Sequence, residues 1–386
     1  MRIVHVTQYF HPDKGYQENS LALEQIKLGY QVTIICSDDL TLWASNENKK
    51  AAILIKEDTF SLATGIKIIR LKTLMKLSGR LFVKGLKKTI REEDPDILIL
   101  HGVFLPSTLL SVLGLRNGSK RVKVVIDDHM VNAGSFNNHS SLLYKIFRPC
   151  FHFLLRKSKV KVSKWVAVSK ETKEFMINNY GIKEKIELIP LGYNEKTCFY
   201  DPVAAENWRV ESNLPPTFKY VLYIGKCDDY KNPLDLFDSF KKFHEKHPDF
   251  ALLIVGEVSD KYQDSIKQKA LSLNISDKIF IKPPLNNFEI NKVLSLARMV
   301  IWPHGSSMTM LEAMACNCPV IASEIEVNKE RLSDGRGLMF KNLENDLLTQ
   351  MNNMEQLREN IIMNAKRWVR QFSWESINAE FLKDIN

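Results

Sequence analysis

The sequence predicts an α/β chain in which two doubly wound parallel sheets are built one after the other. Three observations carry that expectation. Short apolar runs alternate with helical periods through the first half, and the alternation restarts in the second half after a stretch bearing Pro and Gly. The length, 386 residues, is enough for two separate hydrophobic cores.

In the first half, residues 3–7, 31–36, 66–71, 97–101, 122–127 and 165–168 are apolar runs of strand length. Between them, residues 19–28 and 80–92 have helical periods. In the second half, residues 220–225, 251–255, 278–281, 299–302 and 320–322 predict strands, and 234–246, 261–273, 289–297 and 308–315 predict helices. The connection between the domains is placed between about Pro190 and Phe218, a stretch with Gly192, Pro202, Pro215 and Pro216. Residues 361–386, with Trp368, Phe372 and Trp374, read as helical. In such sheets ligands bind beyond the carboxyl ends of the strands.

Composition sets the class. The apolar and charged fractions, 45% and 26%, are those of a globular chain, and no apolar run reaches the ~18 residues of a membrane span. The start, Met1-Arg2-Ile3-Val4-His5-Val6, runs directly into a strand without the features of a secretory signal, so a cytoplasmic location is expected. The six cysteines (Cys36, Cys150, Cys198, Cys227, Cys316 and Cys318) are scattered apart from one pair, and neither disulfides nor a structural zinc site is expected.

Charge is uneven. Residues 1–200 hold 31 Lys+Arg against 19 Asp+Glu, and the remainder 23 against 26, so the net +9 is the sum of +12 and −3. Such asymmetry turns the first half toward an anionic partner, a nucleic acid or a membrane surface. Two basic stretches are interleaved with large apolar residues. One runs from Lys72 to Arg91 and includes Leu74, Met75, Leu77, Lys76, Arg80 and Lys84; the other runs from Leu142 to Trp165 and includes Tyr144, Lys145, Phe147, Phe151, Phe153 and Lys164. This mixture suits the headgroup layer of an anionic membrane, and no nucleic-acid reading motif accompanies it. The alternative is a pair of core helices with basic outer faces.

The most informative stretch is Trp302-Pro303-His304-Gly305-Ser306-Ser307-Met308, followed by Leu311-Glu312-Ala313-Met314-Ala315-Cys316-Asn317-Cys318-Pro319-Val320. It reads as strand, polar loop, short helix, turn and strand. Backbone N–H groups at a helix start suit an anion such as phosphate. Glu312 follows in the helix, where a carboxylate accepts hydrogen bonds from neighbouring hydroxyls, as on a ribose. Asn317 stands where a left-handed helix-ending residue is wanted, and Pro319 stops the helix.

This wording resembles the donor-site signature of retaining GT-B glycosyltransferases of family 4: Glu, seven residues, Glu-Ala-Met-Ala, any residue, Gly, any residue, Pro-Val. Glu312 matches the second Glu, Asn317 stands for the Gly, and His304 occupies the place of the first Glu. The resemblance extends along the chain. His11-Pro12-Asp13-Lys14-Gly15-Tyr16-Gln17-Glu18 is similar to the family's Pro-x-x-Gly-Gly-x-Glu loop, which lies against the donor phosphates; Tyr16 replaces the second Gly, and Gly15 supplies close approach or positive φ. Gly225-Lys226 and Lys231-Asn232-Pro233 resemble the Gly-Arg and Lys-Gly pair after the first strand of the second domain. Pro190-Leu191-Gly192-Tyr193-Asn194 resembles the family's hinge. Asp127-Asp128-His129 ends a strand where the family carries a His reaching the sugar; His129 is the candidate, and His101 competes with it.

The resemblance implies a GT-B architecture. Residues 1–192 form a Rossmann-like acceptor domain completed by about 368–386, and residues 193–367 form the Rossmann-like donor domain across a cleft. It implies a retaining, metal-independent transfer of sugar from a nucleotide-sugar, UDP- or GDP-linked most readily, with no further cofactor. The acceptor is a saccharide, lipid-linked or displayed at the inner face of a membrane. Lys226, Lys231, Gly305, Ser306, Ser307 and Met308 would hold the diphosphate, with Gly15 near it. Glu312 would hold the ribose, and His304 and His129 would face the transferred sugar. Two other readings stay open: a non-catalytic partner subunit, motivated by the missing first Glu, and a sugar-nucleotide epimerase on the same fold.

Overall fold

The computed structural model describes residues 1–115, 122–130 and 140–385, with side chains in the helix Ser140–Ser158 described from Phe147 onward. The chain divides into two compact units: Met1–Leu191 together with Trp374–Asn386, and Gly192–Ser373.

The first unit is built on seven parallel strands. They are β1 (Arg2–Val6), β2 (Gln31–Ser37), β3 (Lys67–Leu71), β6 (Ile97–His101), β7 (Lys123–Asp128), β8 (Val162–Ala167) and β9 (Ile186–Leu188), in the order β3-β2-β1-β6-β7-β8-β9. Successive strands are added outward to one side from β1, then outward to the other side from β6. The direction of winding therefore reverses between β1 and β6, where a crevice opens at the strands' carboxyl ends. The central strands are apolar on both faces because helices cover both: Ile97, Leu98, Ile99 and Leu100 of β6 are all buried.

Between β3 and β6 the chain forms an antiparallel hairpin of β4 (Thr73–Leu77) and β5 (Arg80–Val83). This corrects the helical expectation for residues 80–92, of which only the later part lies in a helix, Leu86–Glu93. Ser78 and Gly79 both have positive φ, 48° and 76°, the geometry of a two-residue hairpin turn. A second helix, Glu47–Thr64, was also not expected. Asn46 caps its start by accepting from the Lys49 N–H, and Gly65 ends it in the left-handed region.

The second unit carries six parallel strands: β10 (Lys219–Ile224), β11 (Phe250–Val255), β12 (Ile279–Lys282), β13 (Ala297–Trp302), β14 (Val320–Ser323) and β15 (Leu338–Phe340). Their order is β12-β11-β10-β13-β14-β15, so the winding reverses between β10 and β13. Every residue of β11 is buried. The stretch expected as a connection holds a further helix, Pro202–Glu211, whose start Asp201 caps through the Ala204 N–H. The terminal helical stretch is two helices, Asp346–Val369 and Trp374–Leu382. Among the described residues no helix is long and apolar enough to cross a membrane.

Candidate active site

In the second unit the loops after β10 and β13 flank the point where the winding reverses. Trp302, buried at the end of β13, donates from its indole nitrogen to the Ile224 carbonyl at 2.8 Å and locks the two strand ends together. Gly225 has φ +149°, and its carbonyl passes so close to Gly256 that a Cβ there would stand 1.8 Å away. That crossing tolerates only glycine.

Beyond β10, the Asp228 carboxylate accepts from the N–H groups of Tyr230 and Lys231 at 3.1 and 2.9 Å, forming a turn that aims Lys231 inward. Lys231 Nζ donates to the Ser306 carbonyl at 3.1 Å, and burial lowers its pKa. Gly305 has φ +68°, and a Cβ there would meet Lys231 Nζ at 3.0 Å, so the absence of a side chain lets the ammonium close on the loop. From the other side Arg331, in the helix Glu326–Leu332, donates to Ser306 Oγ at 3.0 Å and to the Ser307 carbonyl at 2.6 Å. Burial pulls the Arg331 pKa down to about 10. Asn328 of the same helix donates to the carbonyls of Gly305 and Ser323.

Two half-buried cations thus converge on one loop. Among the described residues neither Lys231 nor Arg331 has a carboxylate at ion-pair distance. Asp228 and Glu330 act on them only from beyond ion-pair distance, and burial still disfavours both charges, which an anion drawn into the loop would relieve. Lys226 lies farther out, exposed, with its Nζ 3.5 Å from Asp228.

The helix start contributes less than expected. The N–H groups of Thr309, Met310 and Leu311 are already taken, by Ser307 Oγ, the Ser307 carbonyl and the Met308 carbonyl. The free donors are one step earlier: Gly305, Ser306, Ser307 and Met308 have N–H groups with no protein acceptor among the described residues. Glu312 sits one turn into the helix Thr309–Ala315, half-buried. Burial pushes its pKa up to about 7, opposed by hydrogen bonds from Thr309 and Cys198. Asn317 takes φ +57° after that helix, in the left-handed region.

His304 does not stand alone. Its Nε2 lies 2.5 Å from Asp235 Oδ2, both side chains about one third exposed. A carboxylate therefore returns beside the position where the signature's first Glu is missing. Asp235, Arg331, Asn328 and Cys198 have no counterpart in the sequence-derived site, because they reach it from elements distant in sequence, Arg331 and Asn328 from one helix.

The first unit gathers a buried polar chain below its own reversal point. His5 Nδ1 lies 3.0 Å from His101 Nε2, and His5 Nε2 lies 2.7 Å from Gln25 Oε1. His101 Nδ1 lies 2.8 Å from Asp127 Oδ2, which also accepts from Gln17 at 3.2 Å. Gln25 donates on to Asn378 of the last helix at 3.2 Å. Burial lowers the His5 pKa to about 3. For His101 burial disfavours the charge, but the charge and hydrogen bond of Asp127 outweigh it and raise the pKa. With Gln25 accepting, neutral His5 offers Nδ1 as an acceptor, so His101 donates from both nitrogens as an imidazolium beside carboxylate Asp127.

His129 is exposed at the end of β7, near enough to Asp127 and His101 for their charges to act on it. The competitor His101 is the one built into the chain. Gly15 lies outside the glycines of positive φ. Leu142, Tyr144 and Lys145 of the second basic stretch have side chains outside the described ones. In the rest of that stretch, Phe147 and Phe153 are exposed and Phe151 is buried.

Known proteins with similar sequences and folds point one way. Residues 19–196 match the model described as Glycosyltransferase Family 4, and residues 204–368 the one described as Glycosyl transferases group 1. The O-antigen chain mannosyltransferase RfbU of Salmonella typhimurium is 28% identical over 241 residues, 61% of this chain and 62% of that protein. The chain thus spans under two thirds of that relative's length. The Campylobacter jejuni alpha-1,4-N-acetyl-D-galactosaminyltransferase named for GalNAc-alpha-(1->4)-GalNAc-alpha-(1->3)-diNAcBac-PP-undecaprenol is 21% identical over 83% of this chain and 84% of its own. The crystal structure of a glycosyltransferase from Rickettsia africae ESF-5 superposes with a TM-score of 0.74 at 20% identity, covering 100% of this chain and 97% of that one. The fold is GT-B.

Proposed function

Because the chain belongs to glycosyltransferase family 4, we propose that it is a retaining, metal-independent transferase moving a sugar from a nucleotide diphosphate donor to a saccharide acceptor. The observation that carries this reading is the pair Lys231 and Arg331, two half-buried cations around 305–307 with no carboxylate partner among the described residues. A diphosphate supplies the missing negative charge, and the charge growing on it as the glycosidic bond breaks is stabilised where it forms. Lys226 adds to the field at the rim. The N–H groups of Gly305, Ser306, Ser307 and Met308 bind the same phosphates.

Glu312 takes the ribose hydroxyls as a carboxylate. His304 and Asp235 together face the transferred sugar, the carboxylate accepting from its hydroxyls and the imidazole fixing the carboxylate's orientation. This pair supports a catalytic reading over a partner subunit, since it restores the function lost with the first Glu. His129 is the first unit's contribution to the sugar, and Gly15 lies near the phosphates. UDP and GDP are the bases in view.

The acceptor in this reading is a lipid-linked saccharide, met at the cytoplasmic face of a membrane. The β4–β5 hairpin supports it: Leu74 and Leu77 are 62% and 52% exposed, between Lys72, Lys76 and Lys84. Each basic residue near an anionic surface contributes about 1 kcal/mol. No nucleic-acid partner is proposed.

The test is calorimetric binding of UDP-, GDP-, ADP-, dTDP- and CMP-sugars to the full chain, followed by transfer assays with the one that binds. Selective binding weakened by Lys231→Met supports the reading. If well-folded protein binds none of them, the donor assignment falls.

A further inference from the structure

Tyr230 precedes Lys231 on the loop after β10 and is 66% exposed. A ring left in water forgoes the burial that usually fixes an aromatic side chain. The backbone beneath it is nevertheless held at several points. Cys227 pairs with Val258 in one parallel bridge, and its N–H donates to the Glu257 carbonyl at 3.0 Å. The Tyr230 N–H donates to the Asp228 carboxylate at 3.1 Å, and the Asn232 N–H donates to the Asp228 carbonyl at 2.8 Å. Tyr262, in the helix Asp260–Ser272, donates its hydroxyl to Asn232 Oδ1 at 2.7 Å and pins the far side of the turn. A turn tied at both ends presents the ring in a set direction.

The ring faces charge. Lys231 Nζ lies over it, 5.4 Å from the ring centroid, where the negative face of an aromatic ring attracts a cation. The phenol end reaches the loop that follows β13. From the place where a Cβ would stand on Gly305, Lys231 Nζ is 3.0 Å away and Tyr230 Oη 3.8 Å. Glycine leaves that place open, so the ammonium and the phenol border one small space.

The chemistry around this space selects its occupant. The N–H groups of Gly305, Ser306, Ser307 and Met308 have no protein acceptor among the described residues, and the Tyr230 hydroxyl has no protein partner there either. A phenol supplies one O–H donor. The ammonium and the backbone N–H groups are donors as well. Such a space calls for an acceptor carrying negative charge, as a phosphate oxygen does, rather than for a neutral ring. One face of the Tyr230 ring is already taken by Lys231, which leaves its hydroxyl as the group turned toward the anion.

We infer that Tyr230 is a phosphate-binding residue of the donor loop. Its hydroxyl donates to a phosphate oxygen seated over Gly305, and its ring shields the Lys231 ammonium from water. The O–H bond stays intact throughout, and the contact is a hydrogen bond to an anion. The inference deepens the proposed transfer and rests on that reading for the identity of the anion, a nucleoside diphosphate.

Calorimetry of the full chain with UDP, GDP and inorganic pyrophosphate tests it, on wild type, Tyr230→Phe and Tyr230→Ala. Tyr230→Phe keeps the ring and removes the donor, and it should weaken both pyrophosphate and the nucleotide that binds about tenfold. Tyr230→Ala also uncovers Lys231 and should weaken both further. The thermal midpoints of the ligand-free variants should match that of the wild type. Wild-type affinity in Tyr230→Phe overturns the inference even where Tyr230→Ala binds less tightly, because the ring alone would then act. A loss for the nucleotide with none for pyrophosphate also overturns it, placing Tyr230 on the nucleoside. Either of these results leaves the donor reading intact. Pyrophosphate binding that weakens in Tyr230→Phe, with no binding of UDP or GDP to the wild type, supports the phosphate contact and rejects the donor reading. If folded wild-type protein binds none of the three, both fall.

Discussion

The imidazole of His304 and the carboxylate of Asp235 meet at 2.5 Å across 69 residues of sequence. The turn after Lys231, on the neighbouring side of the strand reversal, thereby brings a carboxylate beside His304. Asp235→Asn should lower kcat/KM for the donor sugar about tenfold, the scale of one charge-assisted hydrogen bond, with nucleotide affinity preserved. Steady-state kinetics beside UDP and GDP calorimetry separate the two effects.

Lys231 and Arg331 should behave as cations awaiting a partner. Lys231→Met should weaken UDP or GDP binding about tenfold or more, yet leave the thermal midpoint of the ligand-free protein unchanged or higher. A variant that lost stability and affinity together would instead mark Lys231 as structural. Thermal scans with and without nucleotide provide the check.

Glu312 carries a pH signature. Its pKa is raised from the ordinary 4.5 to about 7, so between those values the folded protein holds a proton that the unfolded chain releases. Stability is undiminished by Glu312 below pH 4.5 and falls as pH rises through 7. Glu312→Gln should therefore stabilise the protein at pH 8 by about 1–2 kcal/mol and scarcely change it at pH 4. Nucleotide affinity of the wild type should fall as pH drops below 7, where the ribose loses its acceptor. Urea titrations and calorimetry at both pH values measure these outcomes.

Asp127 holds the imidazolium of His101. Replacing it with Asn leaves a buried cation without its partner, and the expected loss is about 3–5 kcal/mol where His101 is charged. Because the His101 pKa is raised, its contribution is full below 6.5 and disappears as pH rises through the raised value. The penalty of Asp127→Asn should thus be larger at pH 6 than at pH 9, measured by denaturant unfolding at each pH.

The β4–β5 hairpin predicts membrane behaviour. Leu74→Ser with Leu77→Ser should reduce sedimentation with vesicles containing phosphatidylserine about tenfold while leaving nucleotide binding intact. Equal binding to neutral and anionic vesicles would contradict an electrostatic contribution from Lys72, Lys76 and Lys84.

Much of the sheet architecture was legible because parallel strands buried on both faces announce themselves. Phe250-Ala251-Leu252-Leu253-Ile254-Val255 is apolar throughout, and it is entirely buried. The hairpin was not, since its lysines and leucines between Lys72 and Arg91 mimic a helical period; the turn residues Ser78 and Gly79 were the informative ones. The helix Glu47–Thr64 escaped because only Ile53 and Glu57 along it are buried, which leaves little apolar period.

The site divides in the same way. The loop with Gly305, Ser306 and Glu312 is local in sequence and visible as a motif. Arg331 reaches Ser306 across 25 residues, and Asp235 reaches His304 across 69, so only the strand order brings them there. In the first unit, His5 and His101 stand 96 residues apart, and no spacing rule links them.

The last helix has a consequence for synthesis. Gln25 bonds to Asn378, and Lys164 Nζ donates to the carbonyls of Glu380 and Lys383 at 2.7 Å each, so residues near the carboxyl terminus complete the interior of the first unit. A ribosome delivers Met1–Leu191 early and those partners only after all of Gly192–Ser373. The first unit therefore waits for residues 374–383, with Gln25 holding only His5 and Lys164 only Glu187, and a nascent chain stalled before Trp374 would hold an open interior for chaperones to recognise.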